Sequence, residues 1–288
     1  MSWPEPPCSS RRRRRRTSPV RSSTSTGATS VSEPPHDGCL RSPRGGRVVV
    51  VTGAAGGIGR SCALLLAGRG ADLALADLDA DRLAVVAAEA RALGARVHVR
   101  PVDVTREDDC ASLVEDTLLH LGRLDGAVLA AGTAHHAGVL DLTSQQWRTA
   151  VEIHLTATFL CLQAVARQMA PGGAIVCLSS TVAEVGGPPR QAHYVAGKAG
   201  TLGLVRAAAR ELGARGVRVN AVSPGFTDTG MNTGLFSEEE LAERVARAPL
   251  GRLAVPDDIA TVVAFLLGAD AAFVTGQNIR VDGGASLA

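Results

Sequence analysis

Arg47-Val48-Val49-Val50-Val51-Thr52-Gly53-Ala54-Ala55-Gly56-Gly57-Ile58-Gly59 is the stretch that decides the fold. A short β-branched run without polar alternation predicts a strand buried on both faces, as in a parallel sheet. The glycines that follow let the chain turn tightly and let its backbone approach a pyrophosphate. The charge of that group would rest on the N-terminus of the apolar helix predicted over 58–69. A glycine-rich string alone is weak, but one lying between a strand and a helix is the context that dinucleotide binding requires.

Working outward, the strand–helix alternation repeats. Strands are predicted at 72–76, 97–102, 124–130, 174–178, 217–222 and 278–281, and helices at 79–93, 106–121, 144–169 and 191–212. Such alternation implies right-handed crossovers and a doubly wound parallel α/β sheet of Rossmann type. One domain over 47–288 accounts for it, with no internal repeat or linker.

The chain of 288 residues has a formal charge of +2 that conceals an asymmetry. Residues 1–46 are Ser, Thr, Pro, Gly and Arg with few large apolar side chains, and are expected to be a disordered tail. The run Arg11–Arg16 has no interleaved aromatic residue on which bases could stack, which argues against a nucleic-acid partner. No apolar segment follows that run as in an export signal, and no apolar run is expected to span a bilayer. The six cysteines show no metal-ligand spacing, and no metal is expected. Cys62, Cys161 and Cys177 lie in apolar segments and read as buried reduced thiols, which fits the cytoplasm.

Asp77 ends the second strand, 24 residues after Gly53. A carboxylate there can accept from ribose hydroxyls and repels a 2′-phosphate, favouring NAD(H) over NADP(H). Asp103, just past strand three, is placed to meet the adenine edge. The only tyrosine and the only lysine, Tyr194 and Lys198, stand four apart on one helix face. An ammonium beside a phenol is expected to lower the phenol pKa toward working pH, making a proton-transfer group for alcohol–carbonyl chemistry.

With these features in this order, the chain resembles the short-chain dehydrogenase/reductase family in its single-domain branch. The likeness includes Asn220-Ala221-Val222-Ser223-Pro224-Gly225, Thr229, Thr275-Gly276-Gln277 and Val281-Asp282-Gly283-Gly284. The resemblance implies that Tyr194 trades a proton with the substrate oxygen and that Lys198 binds the nicotinamide ribose and depresses the Tyr194 pKa. It implies a hydroxyl on the substrate oxygen from Ser180 or, by spacing from Tyr194, Thr181; Ser180 is preferred. Gly53, Gly57, Ile58, Gly59, Asp77, Asp103, Val104, Gly132, Pro224, Gly225, Thr227 and Thr229 would join Tyr194 and Lys198 around the cofactor. The family is usually a homo-oligomer, tetrameric or dimeric, through the helices after strands four and five.

Two positions depart from the pattern. The family's Asn-Asn-Ala-Gly reads Leu129-Ala130-Ala131-Gly132, and the Asn of its water-linked proton relay is replaced by His154. Either His154 takes over the relay and sharpens the pH dependence, since histidine titrates near neutrality, or its backbone carbonyl alone holds the water. His135 and His136 border the expected substrate cleft, and His193 is given no role. Residues 226–252, with Phe226, Met231, Leu235 and Phe236 before a helix at 237–246, look like a lid with its apolar side toward the ligand. The expected activity is NAD(H)-dependent interconversion of a secondary alcohol and a ketone. An acyl-carrier-protein-linked reductase and a cofactor-binding sensor that has lost catalysis are the rivals.

Overall fold

A computed structural model describes residues 41–42, 45–229 and 236–287. The arginine run, Cys8, Cys39 and the expected lid residues Met231 and Leu235 lie outside them. Seven strands form one all-parallel sheet: β1 Val48–Thr52, β2 Asp72–Asp77, β3 Val97–Pro101, β4 Gly126–Leu129, β5 Ala174–Leu178, β6 Arg218–Pro224 and β7 Asn278–Val281. Their order is β3-β2-β1-β4-β5-β6-β7, so the winding reverses between β1 and β4. In open α/β sheets, such a reversal is where a ligand crevice forms, beyond the carboxyl ends of the strands. The expected doubly wound sheet is thus present. Just ahead of it, Arg41–Ser42 and Gly45–Gly46 pair as a two-residue antiparallel ladder, inside the stretch expected to lack structure.

The valines of β1 serve both faces. Val49 and Val51 pack with Cys62 and Leu66 of α1 (Gly57–Gly68), Leu83 of α2 (Ala80–Ala92) and Ile259. Val48 and Val50 pack with Leu113 of α3 (Glu107–Leu121), Leu162 of α4 (Ser144–Gln168) and Val205 of α5 (Ala192–Leu212). The period of two along a strand sends successive side chains to opposite layers. That is why a continuous apolar run was needed here.

α4 corrects one expectation. It is 25 residues long, and an 18-residue stretch within it reaches a mean hydropathy of 1.4, enough by length and composition to cross a bilayer. Here it is a layer helix, with Cys161, Leu162, Val165 and Ala166 buried against the sheet. Its middle, Glu152–Thr156, winds as a π-turn, an irregularity frequent at functional sites.

Two helices follow β6. α6 (Glu238–Arg247) starts on a Ser237–Glu240 capping box, close to the predicted 237–246. α7 (Pro256–Leu267) was not anticipated, although Pro256 followed by Asp257 and Asp258 is a helix-start signature. Its final carbonyls are met by guanidinium groups from the sheet. Arg47 Nη1 donates to Leu267 O (2.7 Å), and Arg218 donates to Leu266 O (2.6 Å) and Gly268 O (3.0 Å). Cationic donors at a helix C-terminus satisfy orphan acceptors and oppose the negative end of the dipole.

Candidate active site

The glycine turn is shaped by contacts that leave no room for a side chain. Gly53 has φ +68°, and a Cβ on it would lie 2.7 Å from Ala131 N; a Cβ on Gly59 would lie 2.1 Å from Gly53 O. The N-cap, Gly56, contributes no side-chain bond to the first turn of α1. The helix therefore begins with backbone N–H groups open to an anion. The Pro224–Thr229 segment closes over this turn, since a Cβ on Gly57 would meet Thr229 Cγ2 at 3.0 Å. That segment is pinned by Gly225 N donating to Val281 O (2.9 Å) and by a bridge between Thr227 and Ala254.

Asp77 lies where expected, at the end of β2. Its Oδ2 accepts from Ala55 N (3.0 Å) and its Oδ1 from Asp79 N (3.2 Å), tying the glycine turn to β2. Each carboxylate oxygen keeps a further lone pair for a ligand hydroxyl. Asp103 Oδ1 accepts from the Thr105 hydroxyl (2.7 Å) and backbone N (3.0 Å), and these bonds hold its carboxyl below the usual range. Val104 lines a small cavity with Thr52, Ala131, Ile153 and Cys161. Cys110 and Cys161 are buried free thiols with sulfurs 3.5 Å apart.

The helix α5 delivers Tyr194 and Lys198 to the ends of β4 and β5. Lys198 is buried, and its Nζ donates to Leu178 O (2.7 Å). Burial lowers its pKa to about 8. The half-buried Tyr194 presents its ring 5.9 Å from that nitrogen. The expected acidic phenol is not what this geometry gives. Burial raises the Tyr194 pKa above its ordinary value, opposed by the Ser180 hydroxyl within hydrogen-bonding reach. Desolvating a phenolate outweighs an ammonium that points at a carbonyl and is itself partly neutralised by burial.

The candidate hydroxyls separate by position. Ser179 Oγ donates to Lys198 O (2.9 Å) and so braces the helix. Thr181 is buried, with its backbone N donating to Pro224 O (3.0 Å). Ser180 is the one that reaches the phenol.

His154 projects from the π-turn into the same space. It is 3% exposed and meets the Tyr194 ring edge-on, centroids 4.9 Å apart. A Cβ on Gly197 would lie 2.8 Å from His154 Cβ, so glycine there admits the imidazole. Burial, with the nearby Lys198 charge, lowers its pKa to about 3. The expectation that it titrates near neutrality is therefore corrected: the ring stays neutral throughout the working range. His193 is buried beside His135, ring centroids 5.4 Å apart. Phe226 and Phe236 stack edge-on at 5.1 Å, and the Arg244 guanidinium of α6 covers both rings at 4.4 and 4.3 Å. This clamp gives the described part of the expected lid an internal use for its aromatic faces.

Comparison with known proteins places the chain among related sequences and folds. The family profile described as enoyl-(acyl carrier protein) reductase matches residues 53–286. A 3-oxoacyl-[acyl-carrier-protein] reductase of Thermotoga maritima is 36% identical over 83% of this chain and 97% of its own length. A cis-4-hydroxycyclohexanecarboxylate dehydrogenase of Sinomonas cyclohexanicum is 43% identical over 83% of this chain and 96% of its own. The crystal structure of a dehydrogenase/reductase from Sinorhizobium meliloti 1021 superposes with a TM-score of 0.81 at 34% identity, covering 86% of this chain and 97% of that one.

Proposed function

The chain belongs to the short-chain dehydrogenase/reductase family, and on that premise we propose that it interconverts a secondary alcohol and a ketone with NAD(H). The observation that carries this reading is the meeting of Tyr194, Ser180 and Lys198 at the ends of β4 and β5. When bound, a nicotinamide dinucleotide supplies or accepts the hydride. The open first turn of α1, with Gly53, Gly57, Ile58 and Gly59, would hold the pyrophosphate, and Asp77 the adenosine ribose. Asp103 and Val104 would border the adenine. Gly132, Lys198 and the Pro224–Thr229 segment, including Gly225 and Thr227, would border the nicotinamide end.

Tyr194 exchanges a proton with the substrate oxygen. Ser180 hydrogen-bonds that oxygen, and Lys198 fixes the geometry around the phenol. Asp77 supports NAD(H) over NADP(H) because its carboxylate, already anchoring the glycine turn, repels a 2′-phosphate. Kinship with the cyclohexane-carboxylate dehydrogenase supports a cyclic secondary alcohol as substrate class. Kinship with the acyl-carrier-protein-linked reductases favours the second reading, reduction of a 3-oxoacyl thioester. A preference for NADPH would select it. We also place the protein in the cytoplasm, as a homo-oligomer built through α4 and α5; the outward Trp147 and Phe159 of α4, 43% and 41% exposed, support such a contact.

Tyr194→Phe tests the chemistry. It removes the transferable proton and is expected to lower kcat by about 100- to 10,000-fold. NAD affinity, measured by calorimetry, is expected to stay within about twofold, because a hydroxyl outside the main cradle contributes little to it. Retained turnover would reject Tyr194 as the acid/base.

A further inference from the structure

Two buried thiols have no part in the mechanism above. Cys110 lies in the first turn of α3 and Cys161 in the second half of α4. They are 51 residues apart in the chain, yet their sulfurs are in contact at 3.5 Å.

Their protons have definite places. Cys110 Sγ donates to Val104 O (3.4 Å), in the segment between β3 and α3. A thiol has one proton, so Cys161 is the donor in the sulfur–sulfur contact. A donor aimed at the Cys110 sulfur favours its thiolate and lowers its pKa, while the Cys161 thiol is held well above its ordinary value. Burial and the carboxylates of Asp103, Glu107 and Asp109 oppose the Cys110 shift without cancelling it. The pair thus divides into a nucleophile and a resolving thiol. Cys161 and Val104 also line the small cavity beside Thr52 and Ala131, so the pair is not close-packed on that side. Cys62 and Cys177 are buried too, and burial pushes each thiol up to about 12. They serve as inert standards within the same chain.

We propose that Cys110 and Cys161 are a modification site, converted by a hydroperoxide to a disulfide that joins α3 to α4 and strips the Val104 carbonyl of its donor. The Cys110 thiolate attacks a peroxide oxygen and the O–O bond breaks. The departing oxygen takes up the thiol proton and leaves as an alcohol, or as water when the oxidant is hydrogen peroxide. Cys110 is then a sulfenic acid. The Cys161 sulfur displaces its hydroxide, the S–S bond forms, and the Cys161 proton leaves with the hydroxide as water. Two thiols lose two electrons and two protons, and the peroxide gains them. Val104 borders the adenine in the reading given above, and on that reading the loss of its bond from Cys110 weakens NAD binding.

Peptide mapping tests the site. Full-length protein is treated with hydrogen peroxide near neutral pH, denatured, alkylated and digested without reduction. The expected product is a pair of peptides joined through Cys110 and Cys161 and parted by dithiothreitol, with Cys62 and Cys177 alkylated. Both thiols still free, Cys110 halted as a sulfinic acid, or Cys161 joined to another cysteine would overturn the proposal. Calorimetry on the same material is expected to show NAD bound about threefold more weakly, or worse, after oxidation, the loss of one modest hydrogen bond. Dithiothreitol should restore the affinity. Cys110→Ala lacks the donor from the start and should bind NAD equally before and after peroxide. A crosslinked wild type with unchanged NAD affinity would overturn the link to Val104. Reduced wild type that binds no NAD would instead sink the cofactor reading, while the peptide map still decides the thiol pair.

Discussion

Tyr194 and Lys198 show how far a residue-level argument carries. Their spacing and rarity single them out in the sequence, and the fold brings them to one place. The direction of the phenol shift was not legible, because it depends on how deeply each group is buried and where the ammonium points. With Lys198 Nζ aimed at Leu178 O and burial lifting the phenol, Tyr194 should ionise late in the cofactor-free protein. As the only tyrosine, it can be read directly by ultraviolet phenolate absorbance. The signal is expected to appear only above about pH 10, the ordinary tyrosine value. A midpoint below that would mean the ammonium outweighs desolvation. The His154 substitution was visible in the sequence too. That the Thr158 and Thr201 hydroxyls both come within 3.0 Å of its carbonyl was not, since Thr201 lies 47 residues away and meets it only through the packing of α5 on α4.

At the level of elements, strong local signals were legible and distant partnerships were not. The valines of β1, the glycine turn and the alternation that follows dictate strand, crevice and layer. The helix α7 was missed because it lies just past the 226–252 segment, in a stretch that was given no element, despite its Pro-Asp-Asp start. Its C-terminus depends on Arg47, 220 residues away, and on Arg218. Replacing Arg218 by Met would leave the Leu266 and Gly268 carbonyls without those donors. The expected loss is about 1–3 kcal/mol of unfolding free energy, the cost of unmet buried acceptors. Urea denaturation of the variant checks this, and an unchanged midpoint would show that water replaces the guanidinium.

Across the whole molecule, the strand order sets the winding reversal between β1 and β4, so the glycine turn, Asp77 and the start of α5 lie beyond the carboxyl ends of the strands. The buried neutral His154 also couples global stability to pH. Its folded pKa of about 3 lies below the ordinary value of about 6.5. The unfolded chain then binds the extra proton first as pH falls. Stability is therefore complete above about pH 6.5 and declines below it, by at most about 1.4 kcal/mol per pH unit from this group, until the folded ring also titrates. Urea midpoints at about pH 7 and pH 5 should differ less in His154→Leu than in wild type; equal differences would place the acid sensitivity elsewhere. The most direct test of the central claim is to offer the purified protein a panel of secondary alcohols, cyclic ones included, with NAD or NADP. Reduced nicotinamide is followed by its near-ultraviolet absorbance. The account predicts turnover of at least one alcohol, with NAD preferred over NADP. No turnover with either cofactor, or a clear preference for NADP, would contradict it.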